Sequence, residues 1–102
     1  MNKMREYQKE LDSWFKEHKW EYWHQLAQFA RLVEETGELA RILNHLYGEK
    51  PKKDSEAKQE LEEEIGDVLY TIICLANSSN IDLDRAIKKS FAKVMKRDKN
   101  RY

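Results

Sequence analysis

Apolar residues recur every three or four positions along most of the chain, the spacing that indicates amphipathic α-helices. Helix-breaking residues are rare, since the sequence contains one proline and three glycines. The pattern predicts four helices, which run from about Lys3 to Glu17, from about Trp20 to Tyr47, from a cap at Asp54 or Ser55 to about Asn77, and from a cap at Asp82 through Met95. Long helices joined by short connections are typical of an antiparallel four-helix bundle, so the predicted fold class is all-α.

Chain length and composition limit this fold to one domain. With 102 residues, of which 40% are hydrophobic, the chain can build one core and not two. Residues 1–102 are therefore predicted to form a single domain. Trp14, Trp20, Trp23 and Tyr47 add more apolar side chain than one thin core can bury, which predicts a homo-oligomer.

Charge and cysteine content exclude several classes of protein. Nineteen basic and nineteen acidic residues give a formal net charge of zero, which removes the long-range attraction that nucleic-acid and membrane-surface binders use. The longest apolar run, from Val68 to Ala76, is shorter than the ~20 residues that span a bilayer. The N-terminal residues lack the apolar stretch of a secretion signal, and the single cysteine, Cys74, excludes an intrachain disulfide. We therefore expect a cytoplasmic protein with no membrane and no nucleic-acid partner.

A short internal repeat contains the candidate chemistry of the chain. A shift of 29 residues aligns Leu32, Glu34, Glu35, Gly37 and Glu38 with Leu61, Glu63, Glu64, Gly66 and Asp67. Because the match includes acids and a glycine as well as a leucine, helical periodicity alone does not account for it. On a helical wheel the acids lie on one flank of each apolar stripe. If the second and third helices pack antiparallel, the carboxylates of Glu35, Glu38, Glu64 and Asp67 converge.

A cluster of four carboxylates is electrostatically unfavourable. At an effective dielectric constant near 20, two like unit charges about 4 Å apart repel by roughly 4 kcal/mol. Proton uptake with raised pKa values offsets this repulsion, and so does a bound divalent cation. A site made only of oxygen ligands suits Mg²⁺, with Mn²⁺ as a substitute, rather than zinc.

The glycines of the repeat favour a metal site. The alternative is two solvated, Glu-rich helix faces, which are common in a highly charged protein. A glycine inside a helix costs about 1 kcal/mol relative to alanine. Gly37 and Gly66 occupy matching places between the acids. A close approach of the helix backbone to another helix or to a ligand explains why both are present.

The repeat also resembles a known family signature. The segments Glu34-Glu35-Thr36-Gly37-Glu38-Leu39 and Glu63-Glu64-Ile65-Gly66-Asp67-Val68-Leu69 resemble the ExxE and ExxD motifs of the MazG-like, all-α nucleoside triphosphate pyrophosphohydrolases. That superfamily includes dimeric dUTPases, dCTP pyrophosphatases and phosphoribosyl-ATP pyrophosphohydrolases. The resemblance, which extends from about Trp20 to Arg97, implies Mg²⁺-dependent hydrolysis of a nucleoside triphosphate between its α and β phosphates. It also implies assembly as a dimer or tetramer and a house-cleaning role in the nucleotide pool.

The resemblance assigns roles within the acidic repeat. It implies that the metal ligands are Glu35, Glu38, Glu64 and Asp67. Glu34 or Glu63 can orient or deprotonate the attacking water, and each can equally be a solvated surface acid. The five residues predicted to be catalytic are therefore Glu34, Glu35, Glu38, Glu64 and Asp67.

Two further groups of residues are candidates for binding the substrate. Lys89, Lys93 and Arg97 recur every four residues on the fourth helix and share a face that can meet the triphosphate, although a solvated basic face is the alternative. Trp20 and His24 are similar to a tryptophan and a histidine that enclose the base in the dCTP-pyrophosphatase-like branch. This similarity favours a dCTP-like substrate, and simple packing is the alternative for Trp20.

Three other functions fit parts of the sequence. A carboxylate-bridged di-iron bundle needs two ExxH pairs, and only Glu21 and His24 have that spacing. A catalytically silent helical interaction module is disfavoured by the balanced charge and the lack of a nucleic-acid-reading motif. Phosphoribosyl-ATP or another modified nucleotide is an alternative substrate, because base selection depends on a pocket whose walls can come from another subunit.

Overall fold

The computed structural model describes residues 3–48 and 54–98. These residues form four α-helices and no strand, so the all-α prediction is confirmed. The helices in chain order are α1 (Lys3–His18), α2 (Gln25–Tyr47), α3 (Asp54–Ser78) and α4 (Leu83–Asp98). Pro51 and the side chains of the predicted caps Asp54 and Ser55 lie outside the described part of the chain.

The second helix begins later than predicted, at Gln25 rather than near Trp20. α1 is followed by Lys19, whose φ of 59° is left-handed, and the next N–H, that of Trp20, donates back to the carbonyl of Phe15 at 2.9 Å. This arrangement ends a helix and turns the chain away from its axis. The chain then runs outside helical structure to His24, whose Nδ1 accepts a hydrogen bond from the N–H of the second residue of α2. A histidine that caps a helix is unusual, and the sequence pattern does not reveal it.

The connection between α3 and α4 has the same kind of helix end. Asn80 has a left-handed φ of 56°, and the N–H of Ile81 donates to the carbonyl of Ala76 at 2.9 Å. Asp82 then caps α4, because its Oδ1 accepts from the N–H groups of Asp84 at 3.0 Å and Arg85 at 3.3 Å. The predicted cap at Asp82 is confirmed.

The α2–α3 hairpin is the most extensive contact between helices. Its apolar centre contains buried Ile42 and Leu46, against which Leu61 packs. Further along α3, Cys74 and Ala76 are also buried. Cys74 is a small core residue, and burial raises the pKa of its thiol.

Polar contacts hold α1 against the other two helices that it touches. Asp84, at the start of α4, is 5% exposed and accepts hydrogen bonds from the N–H groups of Met4 at 3.3 Å and Arg5 at 2.9 Å. A carboxylate at the first turn of α1 satisfies N–H groups that the helix leaves unbonded. On α3, the amide of Asn77 bonds with the side chain of Gln8 at 2.9 Å.

The described chain is open, with large apolar side chains exposed on every helix. Its Cα radius of gyration is 16.6 Å, whereas a compact domain of this length has about 13 Å. Exposed residues include Phe29 and Val33 on α2, Ile65 on α3, and Phe91 and Met95 on α4. These residues belong to the apolar repeats of their helices, and a single chain does not cover them.

Candidate metal centre and adjoining cavity

Three acids of the repeat meet across the α2–α3 hairpin. Glu35 comes from α2, and Glu64 and Asp67 lie one turn apart on α3. One carboxylate oxygen from each of the three lies within 4.8 Å of the other two. Glu64 is 7% exposed, Glu35 is half-buried and Asp67 is exposed. The group therefore extends from the protein interior at Glu64 to the solvent at Asp67.

The electrostatics of this group centre on Glu64. A hydrogen bond with the Glu35 side chain, burial, and the charges of Glu35, Asp67 and Glu38 together raise the pKa of Glu64 to about 7. Two carboxyl groups can share a hydrogen bond only when one of them holds a proton. Oε2 of Glu64 is a buried oxygen without a hydrogen-bond partner among the described residues. The position therefore requires either a proton or a cation.

The fourth predicted ligand, Glu38, lies at the edge of this group. Its Oε2 accepts a hydrogen bond from Nε of Arg41 at 3.1 Å, and both side chains are about half exposed. Its charge still raises the pKa of Glu64. The structure thus brings three of the four predicted ligands together, whereas the fourth, Glu38, pairs with Arg41 on the same helix.

The two acids predicted to act on water, Glu34 and Glu63, are exposed beside the group. The expected close approach of another helix to the two glycines is wrong among the described residues, and the alternative, a close approach of a ligand, stays a prediction. A Cβ atom added at Gly37 or Gly66 would have nothing within 4 Å, because both glycines face open space.

An open cavity of about 560 Å³ lies about one helical turn along α2 and α3 from the three converging carboxylates, none of which lines it. Its lining comes from the end of α1, the α1–α2 connection, α2 and α3, and consists of Phe15, Lys19, Trp20, Glu21, Trp23, Gln28, Arg31, Tyr70 and Cys74. Arg31 precedes Glu35 by four residues on α2, and Tyr70 follows Asp67 by three on α3. Residues at these spacings share a helix face, so the cavity continues the same side of the hairpin as the acids.

The structure separates the two residues predicted to enclose the base. Trp20 lines the cavity, where its ring stacks on His18 at 4.5 Å and meets the edge of Trp14 at 4.9 Å. His24 is not among the lining residues, and its ring caps α2 through Nδ1. Both residues were expected in the first turn of the second helix, and both lie before that helix begins.

The predicted phosphate-binding cations lie on α4, which packs against α1. Lys89, Lys93 and Arg97 are all exposed, and Arg97 bonds Asp98 at 3.0 Å. None of the three lines the cavity described above. Within one chain, α4 therefore does not bring these cations to the carboxylates.

Gln28, Arg31 and Tyr70, which all line the cavity, were not predicted from the sequence. The guanidinium carbon of Arg31 lies 5.7 Å from the ring centroid of Trp23 and 5.7 Å from that of Tyr70. The spacing of Arg31 and Tyr70 from the acids could have indicated that they share a helix face with them. The contact between them was not predictable, because it joins side chains from three different segments.

Comparisons with known proteins show which family the chain belongs to. Residues 24–102 match the model of the MazG nucleotide pyrophosphohydrolase domain. YpjD of Bacillus subtilis strain 168 is 50% identical over 99 residues, which cover 97% of this chain and 89% of YpjD. YvdC of the same strain is 35% identical over 98 residues, which cover 86% of this chain and 92% of YvdC.

Two solved structures resemble the fold, each with a TM-score of 0.75. One is a MazG protein conserved in Bacillus, described as a nucleotide pyrophosphohydrolase, with 47% identity over 88% of this chain and 86% of that chain. The other is YPJD from Bacillus subtilis, with 49% identity over 88% of this chain and 90% of that chain. The enzyme class that the resemblance implied is confirmed, and the chain belongs to the MazG nucleotide pyrophosphohydrolase family.

Proposed function

We propose that this chain hydrolyses nucleoside triphosphates between the α and β phosphates, giving a monophosphate and pyrophosphate, with Mg²⁺ as the required metal and Mn²⁺ as a substitute. One observation carries the proposal: Glu35, Glu64 and Asp67 converge within 4.8 Å, about one helical turn along α2 and α3 from a cavity large enough for a nucleoside. Carboxylates clustered beside such a cavity fit the demands of phosphate-bond hydrolysis, which needs charge neutralisation and a positioned water.

The donor set fits a magnesium ion. All the candidate ligands are carboxylate oxygens, which suit Mg²⁺ and Mn²⁺. The buried, unpartnered Oε2 of Glu64 is an acceptor that a cation would satisfy. Glu35, Glu64 and Asp67 would hold the metal, with Glu38 as the fourth ligand once it leaves Arg41. When bound, the metal neutralises phosphate charge and activates a water molecule.

The remaining residues bind and orient the substrate. Trp20 offers the base an aromatic surface in the cavity, and His24 fixes the start of α2 beside it. A dCTP-like substrate is the preferred candidate. Glu34 or Glu63 accepts a proton from the attacking water, and Lys89, Lys93 and Arg97 contact the triphosphate.

The active form is a homo-oligomer, a dimer or a tetramer. Residues such as Phe29, Val33 and Phe91 are each more than half exposed in the single chain. Apolar surface of this extent is typical of an interface. Assembly also offers a route by which the cations of α4 from one copy can reach the carboxylates of another.

The enzyme acts in the cytoplasm. It takes its substrate from the nucleotide pool and has a house-cleaning role in that pool. A reducing compartment suits a chain whose single cysteine is buried. Within the described residues, none of the helices is long and apolar enough to cross a membrane.

A panel of ribonucleoside and deoxyribonucleoside triphosphates tests the reaction. With Mg²⁺, phosphorus NMR should detect pyrophosphate and monophosphate as the first products, with no diphosphate. Glu64→Gln should lower the rate at least about a hundredfold, because it removes a buried ligand charge while nearly preserving shape. Glu62→Gln is the matched control, since Glu62 is an exposed neighbour outside the carboxylate group. Release of orthophosphate and a diphosphate would show that a different bond is cleaved and would contradict the proposal. If no triphosphate is hydrolysed, the remaining candidates are a modified nucleotide as the substrate and a catalytically silent interaction module.

A further inference from the structure

Arg31 is held between two aromatic rings at the boundary of the cavity and the carboxylates. Its guanidinium carbon is 5.7 Å from the ring centroids of both Trp23 and Tyr70, close enough for cation–π contacts with each. The side chain is half-buried and lines the cavity. Among the side chains that the structure describes, none forms a hydrogen bond or ion pair with this guanidinium.

This environment leaves the donors of Arg31 available. Contacts with ring faces restrain a guanidinium group, but they do not use its N–H donors, which lie in the plane of the group. A half-buried arginine that forms no ion pair with the described side chains is positioned to bind an anionic ligand. The planar, forked donor set matches two oxygens of one phosphate group.

Position along α2 indicates which phosphate this would be. Arg31 and Glu35 are four residues apart, so their Cβ atoms are about 5–6 Å apart on one face of the helix. Along the chain, the cavity-lining Trp20 and Trp23 precede Arg31, and Glu35 of the converging carboxylates follows it by one helical turn. A nucleotide with its base among the aromatic side chains and its outer phosphates at the carboxylates has its α-phosphate between them.

We propose that Arg31 binds the α-phosphate of the nucleotide, and that Trp23 and Tyr70 position its guanidinium group for this contact. The inference rests on the proposed function and deepens it by assigning one phosphate to one residue. Negative charge on the oxygens around the reacting bond increases in the transition state, so the same contact accelerates hydrolysis. Arg31 would remain bound to the monophosphate product and would not contact the leaving pyrophosphate.

The experiment compares the two products as ligands. The full chain, with Mg²⁺, is titrated calorimetrically with the deoxynucleoside monophosphates of the four bases and, separately, with pyrophosphate. Arg31→Gln should weaken monophosphate binding about tenfold or more, while the affinity for pyrophosphate changes less than about twofold. Arg31→Lys should recover part of the loss, because it restores the charge without the fork. Arg85→Gln is the charge-matched control, since Arg85 is an exposed residue of α4 outside the cavity.

Each outcome decides the assignment. Unchanged monophosphate affinity in Arg31→Gln would overturn it, and so would a parallel loss of both ligands, which would mean that Arg31 only supports the cavity. A parent chain that binds no monophosphate would overturn it as well. If the parent binds a monophosphate but releases no pyrophosphate from any triphosphate, the proposed hydrolysis fails, while selective loss in Arg31→Gln still supports the phosphate contact.

Discussion

The carboxyl group of Glu64 on α3 shares a hydrogen bond with that of Glu35 on α2, which requires one proton between two acids. This contact couples folding to pH. The pKa of Glu64 rises from an ordinary 4.5 to about 7 on folding, so the folded chain holds this proton over a range in which the unfolded chain has lost it. The stability contributed by this proton is fully present below about pH 4.5 and is lost as the pH rises through about 7.

The first prediction concerns this pH dependence in the metal-free protein. Between about pH 5 and pH 8 with a chelator present, the melting temperature of the parent should fall by a few degrees more than that of Glu64→Gln. At about pH 8 the Gln variant should be the more stable of the two, since it removes a buried charge. Equal pH profiles for parent and variant in calorimetric melts would contradict the shared proton.

The second prediction concerns metal binding at the same site. Mg²⁺ should raise the melting temperature at about pH 8, because a cation that binds only the folded state stabilises it by mass action. The shift should shrink as the pH falls below about 7, since the metal must displace the proton of Glu64. Glu64→Gln should abolish the shift, and Glu62→Gln should retain it. If Mg²⁺ does not change the melting temperature of the parent, the proposed metal site is wrong.

The third prediction separates the two contacts available to Glu38. Glu38→Gln should lower hydrolysis about a hundredfold if this carboxylate joins the metal, and Asp67→Asn should do the same. Arg41→Gln should leave the rate within about threefold of the parent, because an exposed ion pair is worth at most about 1 kcal/mol. Helical circular dichroism should be retained in all three variants. Full activity in Glu38→Gln would remove this residue from the ligand set.

The acidic group was predictable because regular helices fix its geometry. Glu64 and Asp67 are three residues apart, and the repeat places Glu35 on the matching flank of an antiparallel partner. The pairing of Glu38 with Arg41 was equally local, at three residues, but two local partners compete for one carboxylate. Sequence spacing does not decide between them.

The start of α2 was not predictable from periodicity, because the apolar residues Trp20 and Trp23 continue the helical spacing backwards. The chain leaves helical structure there because a left-handed residue at Lys19 ends α1 and an atypical cap at His24 starts α2. The cavity depends on this connection. The contacts of the Trp23 and Tyr70 rings with Arg31 form only in the tertiary structure.

The fourth prediction tests how α4 fixes the start of α1. Asp84→Ala removes a buried acceptor from the N–H groups of Met4 and Arg5, so it should lower the free energy of unfolding by about 1–2 kcal/mol. Asp84→Asn retains one acceptor oxygen and should cost about half as much. Urea unfolding followed by circular dichroism measures both. An unaffected Asp84→Ala variant would show that this contact does not stabilise α1.

The fifth prediction concerns assembly. Light scattering at micromolar concentration should give at least twice the mass of one chain, because Phe29 and Val33 are more than half exposed in the single chain. Val33→Asp should shift the mass towards that of a monomer, since it places a charge in the proposed interface. Ser13→Asp is the control, as Ser13 is an exposed polar residue of α1. A parent that is monomeric at this concentration would exclude the assembly.

The same assembly predicts how two inactive variants behave together. Glu64→Gln lacks a metal ligand, and a Lys93→Ala/Arg97→Ala double variant lacks the cations of α4 that would reach a second copy. In a mixed dimer, one site carries both defects and the other carries neither. Unfolding the two variants together and refolding them should restore about a quarter of the parental rate, because half of the dimers are mixed and each has one intact site. If the mixture stays inactive while the mass is that of an oligomer, these cations act on the carboxylates of their own chain, and α4 must move from its place against α1 to reach them.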